Sequence, residues 1–417
     1  MKMQDAFRKG GTLFTTLALA FTLTTALKAQ DIQVQNLSSG TTLSYPVVLL
    51  TGEVSQSAIN HPSLVTSEQM TWVERAKCDR QYSLRVTNLS SKLPSRTYQT
   101  TMFRGEFKAL VELVPGANRL RFEAGNKTNE ITLHYQRIAS NLKVRLVYIT
   151  DKTGNTRYDS QFEADPQDYS SRIDTAAKLM QTFLAERMYT LGYGRKTFGL
   201  ELDPKGKVVV HTIRLPHTAA HLNRCNKNEL WTLCNAAVQK QLGGKDYKNL
   251  VITAFSRYDT VNKRPLAHTA LGGMSTGVIS NLGMCSWPRH IGDVARAFSD
   301  TTPICEGKVY NDSSYRNTLW GLAATTIGAG IHELGHAFGL DHSSDPHCIM
   351  SRGFDAFHRA FMVDDAPSDR NWVTIHFSEA ENVTIQSGAA HLLASNPWLK
   401  TQELSRYARR SGTALAW

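Results

Sequence analysis

The stretch Ile331-His332-Glu333-Leu334-Gly335-His336-Ala337-Phe338-Gly339-Leu340-Asp341-His342 constrains this chain more than any other part of it. Two histidines four apart share one face of a helix, about 6 Å apart along its axis. Imidazoles so placed can hold one divalent ion between them. Glu333 is too close in sequence to the first histidine to reach the same ion, but it can hold a proton acceptor over a metal-bound water. Catalytic zinc takes three protein ligands and keeps a fourth position for water. His342 can be the third, because Gly339 ends the helix: glycine takes the left-handed conformation without a Cβ clash, and the chain can turn back beneath the helix. The expected centre is therefore Zn2+ on His332, His336 and His342, with Glu333 as general base. The plain alternative, a core helix with satisfied histidines, fits two histidines beside a glutamate poorly.

Further on comes Cys348-Ile349-Met350-Ser351, which places a methionine where it can pass under the site as an apolar floor. His-Glu-x-x-His-x-x-Gly-x-x-His followed by Met350 resembles the metzincin zinc peptidases, and the Gly-Leu-x-His-Ser run resembles the matrix metalloproteases. Ile-Met-x-Arg-Gly-Phe-Asp, the following Arg359-Ala360-Phe361 and the earlier Phe107-Lys108-Ala109-Leu110-Val111-Glu112-Leu113-Val114-Pro115-Gly116-Ala117-Asn118 widen the likeness. Together they are similar to a group of zinc metallopeptidases known mainly from sequence, over most of the mature chain. The resemblance implies a metzincin-like α/β catalytic domain with a mixed sheet and a long zinc-binding helix. Some relatives append a lectin-like domain, for which residues 362–417 are too few. Several metzincins place a tyrosine two residues after the methionine; here Arg352 stands there. It could stabilise an oxyanion or pair with Asp355, and the ion pair is the stronger expectation. Asp341 is a candidate to orient a ligand, or a solvated loop carboxylate. His347 has no ordinary third-ligand spacing.

Residues 1–29 combine Lys2, Arg8 and Lys9 with an apolar run from Leu13 to Leu27 and small residues before Gln30. That is the pattern of a secretory signal peptide cleaved near Ala29, since the run is too short and too broken by threonines for a membrane span. The mature chain would be secreted or periplasmic. Removing this segment takes +3 from the formal charge of +11. The remaining excess is spread out, without a basic-aromatic module for nucleic acid, so no nucleic-acid partner is expected. In an exported chain Cys78, Cys225, Cys234, Cys285, Cys305 and Cys348 can form three disulfides. Short spacing favours Cys225 with Cys234 and Cys285 with Cys305. A Cys78 thiolate plugging the zinc of a latent enzyme is the less common role for such a cysteine.

Residues 30–140 read as short strands separated by turns such as Pro115-Gly116-Ala117-Asn118, suggesting an all-β immunoglobulin-like sandwich. From 141 to 365 strands alternate with helices: strands at Lys143–Ile149, Phe198–Leu202, Val208–Leu215 and Asn249–Phe255, helices at Ser171–Met188 and Asn228–Gln241, and a metal helix at Tyr315–Phe338. Gly321, Gly328 and Gly330 lower that helix's propensity and point to close approach of another backbone. Leu271 to Asn281, rich in glycine, is either a sheet edge that pairs with an extended substrate or a plain loop. Residues 366–417 read as an extension packed on the catalytic domain, extended at Trp372–Phe377 and helical at Gln402–Arg410. The function expected is hydrolysis of peptide bonds in a protein or peptide substrate by a zinc-activated water. The rivals are a surface- or glycan-binding protein whose zinc is structural, closed by a fourth ligand such as His347 or Cys348, and a zinc hydrolase of non-peptide amides or esters.

Overall fold

The computed structural model describes residues 31–55, 83–93 and 96–400. The expected signal segment, Cys78 and the expected helix at Gln402–Arg410 lie outside these residues. The first part is β1 (Ile32–Val34), β2 (Thr42–Leu43), β3 (Val47–Val54), β4 (Ser83–Asn88), β5 (Thr97–Phe103), β6 (Glu106–Glu112), β7 (Gly116–Ala124) and β8 (Lys127–Tyr135). In β7, Asn118, Leu120, Phe122 and Ala124 are buried and the residues between them are not, the period of two that a sheet with one wet face requires. The eight strands form one sheet in the order β1-β3-β6-β5-β4-β7-β8-β2. An immunoglobulin-like sandwich would have two separate sheets. Here β5 runs along β4 through residues 97–101 and then pairs with β6 through Met102 and Phe103. The sheet therefore folds over on itself at β5, with the Phe107 and Phe122 ring centroids 6.3 Å apart. The polar sequence Thr97-Tyr98-Gln99-Thr100-Thr101 hid this strand.

The second part holds β9 (Lys143–Thr150), α1 (Tyr169–Thr190), β10 (Thr197–Leu200), β11 (Val210–Arg214), α2 (Lys227–Gln241), β12 (Tyr247–Thr253), the hairpin β13 (Arg257–Asp259) and β14 (Arg264–Leu266), β15 (Ala270–Gly273), β16 (Thr276–Ser280) and α3 (Leu319–Ala337). After a 3-10 turn at Arg352–Ala360 come β17 (Asp364–Asp365), β18 (Ile375–His376), α4 (Ser387–Ser395) and β19 (Leu399–Lys400). Their main sheet runs β15-β16-β12-β9-β10-β19, with β11 also on β9. The inner pairs are parallel and both edges, β15 and β19, antiparallel. This is the mixed α/β sheet expected. Parallel strands need both faces covered. One face packs Val147, Ile149, Val251 and Val278 against Leu230, Cys234 and Val238 of α2. The other meets α1 and α3 in a core that continues into the N-terminal sheet. Among the described residues no helix is long and apolar enough to cross a membrane.

The cysteine pairings are a correction. All five described cysteines are free thiols. Cys234 faces the sheet from α2, while Cys225 precedes the helix and its Sγ donates to the His221 carbonyl. Cys285 is buried and Cys305 exposed.

Candidate metal centre

Helix α3 starts at Thr318, whose Oγ1 accepts from the Gly321 amide, the usual way of satisfying a free first-turn donor. Its glycines answer to close neighbours, but only Gly328 meets another backbone first, as expected for all three; Gly330 and Gly321 meet side chains first. A Cβ on Gly328 would strike the Phe354 carbonyl, one on Gly330 the Met180 methyl, and one on Gly321 the Arg316 Cβ. At the other end Gly339 has φ +91°. Its amide donates to His336 O at 2.9 Å and the Leu340 amide to Gly335 O at 3.0 Å, the paired bonds of a Schellman stop. This turn lets residue 342 come back to the helix.

The stop also fixes a ligand. The Leu340 carbonyl accepts from His336 Nδ1 at 2.7 Å, and the Ile349 carbonyl accepts from His332 Nδ1 at 2.7 Å. Since a carbonyl only accepts, both Nδ1 atoms carry protons, and in the neutral rings both Nε2 atoms are left as bare lone pairs. His336 Nε2 lies 3.2 Å from His342 Nε2. Two nitrogens bound to a tetrahedral zinc at ~2.05 Å stand ~3.3 Å apart, so this spacing fits an ion between them. One ring nitrogen from each of His332, His336 and His342 falls within 4.8 Å of the others. Burial pushes His332 down to about 4, and it also lowers His336. Both are thus held neutral, the form that binds metal. The donor set fits zinc.

Three candidate ligands come together and a fourth does not. Among the described residues the metal-competent group is these histidines alone; His347 is exposed and Cys348 is buried outside the group. Catalytic sites keep such a position open, while structural ones close it. Asp341 is exposed, and backbone carbonyls hold the two helix histidines instead. Arg352 pairs with Asp355 at 2.7 Å, the structural alternative. Met350 is fully buried with its sulfur against Gly335, directly below the helix segment that carries the histidines.

Glu333 is 6% exposed. Among the described residues no donor reaches its carboxylate. Burial, only partly offset by the charge of Lys227, raises it to about 7, where a group can both take and return a proton near neutrality. Beside it runs the glycine-rich segment, which forms the β15–β16 hairpin with β15 at the sheet edge. Gly272 and Gly277, opposite each other in this hairpin, both press on the α3 backbone at Glu333. Sequence gave no sign of the carbonyls of Leu340 and Ile349, because backbone acceptors carry no residue signature. Phe354, whose ring meets His332 edge-on with centroids 5.2 Å apart, stands in the Arg-Gly-Phe-Asp run, where the sequence assigns it no role.

Comparison with known proteins agrees with this chemistry. Residues 31–405 match the Metallopep family model, described as "Putative peptidase family". A Schizosaccharomyces pombe protein named "Putative zinc metalloproteinase" is 29% identical over 301 residues, covering 67% of this chain and 48% of that protein. A Saccharomyces cerevisiae protein of the same description is 27% identical over 336 residues, covering 72% and 48%. The chain thus spans about half the length of these curated relatives. Among solved structures, OgpA from Akkermansia muciniphila, in complex with an O-glycopeptide, covers 62% of each chain at 18% identity and a TM-score of 0.39. Archaemetzincin from Methanopyrus kandleri covers 62% of this chain and 97% of its own at 15% identity and a TM-score of 0.28.

Proposed function

The chain belongs to this metallopeptidase family, and from that premise we propose that it is a zinc-dependent peptidase of metzincin type acting on proteins or peptides. The observation that carries the proposal is the convergence of three imidazole nitrogens beside a buried carboxylate without a partner. His332, His336 and His342 would hold the ion. When bound, zinc supplies a Lewis acid for the scissile carbonyl and lowers the pKa of the attacking water. Glu333 takes a proton from that water and returns it to the leaving amine. The free edge of β15 receives an extended substrate by strand addition, which aligns the scissile bond alongside α3. Export, with cleavage near Ala29, is part of the proposal.

The test is a peptide library presented to the zinc-loaded protein and to Glu333→Gln, with zinc content and Tm measured on both. The variant should keep metal and fold and lose cleavage by roughly 10³-fold or more. Cleavage equal to wild type, or a protein that stays metal-free after loading with zinc, refutes the assignment. Hydrolysis of small esters with no cut peptides would favour a non-peptide hydrolase.

A further inference from the structure

Resting on the peptidase reading above, we propose that Trp231 and the bare backbone of Gly273 form a substrate subsite for a large apolar side chain, aromatic above all, on the N-terminal side of the bond that is cut. An extended peptide laid along a sheet edge turns successive side chains to opposite faces. In β15 the two faces are marked by what a Cβ would meet. At Gly272 it points to α3, against the Glu333 carbonyl and the His336 Cβ; at Gly273 it points to the α2 side, where the one atom in reach is Trp231 Cζ2 at 4.0 Å. A peptide on this edge therefore sends one set of side chains toward the metal helix and the alternate set toward Trp231.

Trp231 is aimed at that place. Its Nε1 donates to Thr276 O at 3.1 Å, and Thr276 is the cross-strand partner of Gly273. The indole is thus anchored at β16 by its nitrogen while the neighbouring Cζ2 lies under β15, so its benzo ring runs from the inner strand toward the edge. Thr276 Oγ1 in turn donates to Asn235 Oδ1 at 2.8 Å, one turn further along α2, which fixes the helix against the hairpin. Among the described residues β15 has β16 on one side and no strand on the other. Trp231, Gly273 and Leu271, which shares the face of Gly273, are all half-buried, so apolar surface stays in water beside an open strand position. A side chain of the added strand is what covers it. A strand glycine has no side chain to meet a cross-strand partner, and an aromatic ring from the neighbouring strand lies over it; here that ring would rest on a second one, Trp231. A peptide antiparallel to β15 runs from Gly273 toward Ala270. The residue opposite Gly273 therefore precedes the one opposite Gly272, which lies beside Glu333, and the subsite reads a position before the cut.

The competing account is that Trp231 only braces the hairpin against α2. Zinc-loaded full-length protein is given peptide pairs identical except for phenylalanine or alanine at each position before the cut. One position should show kcat/KM about tenfold or more higher for phenylalanine, with leucine between the two. In Trp231→Ala that ratio should fall toward one, and Trp231→Phe should restore most of it. A brace alone would slow both peptides equally and leave the ratio as it was. Gly273→Leu, at a position without positive φ, fills the same space from the protein's own chain and should also lower the ratio, so the test does not rest on the folding of one variant. A ratio near one at every position in the wild type, or a ratio unchanged in Trp231→Ala and Gly273→Leu, overturns the subsite and leaves the peptidase standing. If no peptide is cut, the peptidase reading fails. Fluorescence anisotropy of the same peptides on the zinc-loaded protein then decides the subsite alone: tighter binding of the phenylalanine peptide, lost in Trp231→Ala, supports it and equal binding overturns it.

Discussion

Gly272→Ala is the sharpest test of how the site is assembled. In β15, Gly272 faces α3 so closely that a Cβ would overlap the Glu333 carbonyl oxygen, with the His336 Cβ at 2.8 Å and the Glu333 carbonyl carbon at 3.0 Å. Carbon atoms in ordinary contact stand ~3.5–4.0 Å apart, so the hairpin must retreat from the helix by roughly 1 Å. Overpacking of this kind costs about 1–3 kcal/mol. The retreat also opens the gap between the edge proposed to pair with substrate and the helix that bears Glu333 and His336, and a misplacement of ~1 Å is worth ~10²-fold in rate. The adjacent Gly273 is the control, because its Cβ would meet only Trp231 Cζ2 at 4.0 Å. Gly273→Ala should leave Tm unchanged or slightly raised, since losing a glycine stabilises by ~0.4–1 kcal/mol where the backbone permits. Thermal unfolding of the apo and zinc-loaded proteins, with kcat/KM on one peptide, gives the comparison. Gly272→Ala should lose several degrees of Tm and about two orders of magnitude in kcat/KM. If the two variants behave alike, the edge strand does not owe its position to that contact.

Two other perturbations separate metal binding from folding and charge from burial. His342 is exposed, so His342→Ala should weaken zinc at least ~100-fold in a chelator competition while the apo Tm holds. His332 is 6% exposed and donates to Ile349 O, so His332→Ala should also cost the apo protein ~1–3 kcal/mol; equal apo stability of the two variants would contradict this. Burial pushes the Lys108 ammonium down to about 8, against ~10.4 in an unfolded chain. Between those values the unfolded chain binds a proton that the folded one does not, so stability rises with pH from 8 toward 10, by at most ~3 kcal/mol. Denaturant unfolding from pH 7.5 to 9.5 should show this slope and Lys108→Met should flatten it; an unchanged slope in the variant would remove Lys108 as its source. Above pH 10 the buried tyrosines Tyr98 and Tyr148, whose hydroxyls burial raises, act in the opposite direction.

The candidate metal ligands were legible because their spacing is a helix geometry and their glycine is a backbone requirement; both are local. The helices and parallel strands of the second part were legible for the same reason, through apolar periodicity. What escaped was non-local. The fold of the N-terminal sheet turns on β5, whose polar residues look like a loop until β4 and β6 flank it. The disulfide expectation failed because spacing along the chain says nothing of where two thiols face.

Helix α1 explains why the N-terminal sheet belongs to the catalytic unit mechanically. On one side, the Met180 methyl fills the space left by Gly330 of α3, so α1 backs the helix that carries the histidines. On the other, Thr182 Oγ1 donates to Val47 O, Tyr45 Oη donates to Glu186 at 2.6 Å, and Lys178 bonds Glu112 at 2.7 Å. Lys178 and Glu186 are 2% and 6% exposed, so these charges are buried by the sheet that also supplies their partners. Lys178 would retain only Asp174, and Glu186 only Arg195, if the sheet were absent, while Tyr45, Val47 and Leu49 would leave an apolar face of α1 uncovered. Breaking such buried pairs costs several kcal/mol each, comparable to the whole stability of a domain. The position of α3, and with it the spacing of the three imidazoles, is therefore held from behind by the N-terminal sheet as much as by the strands beside it.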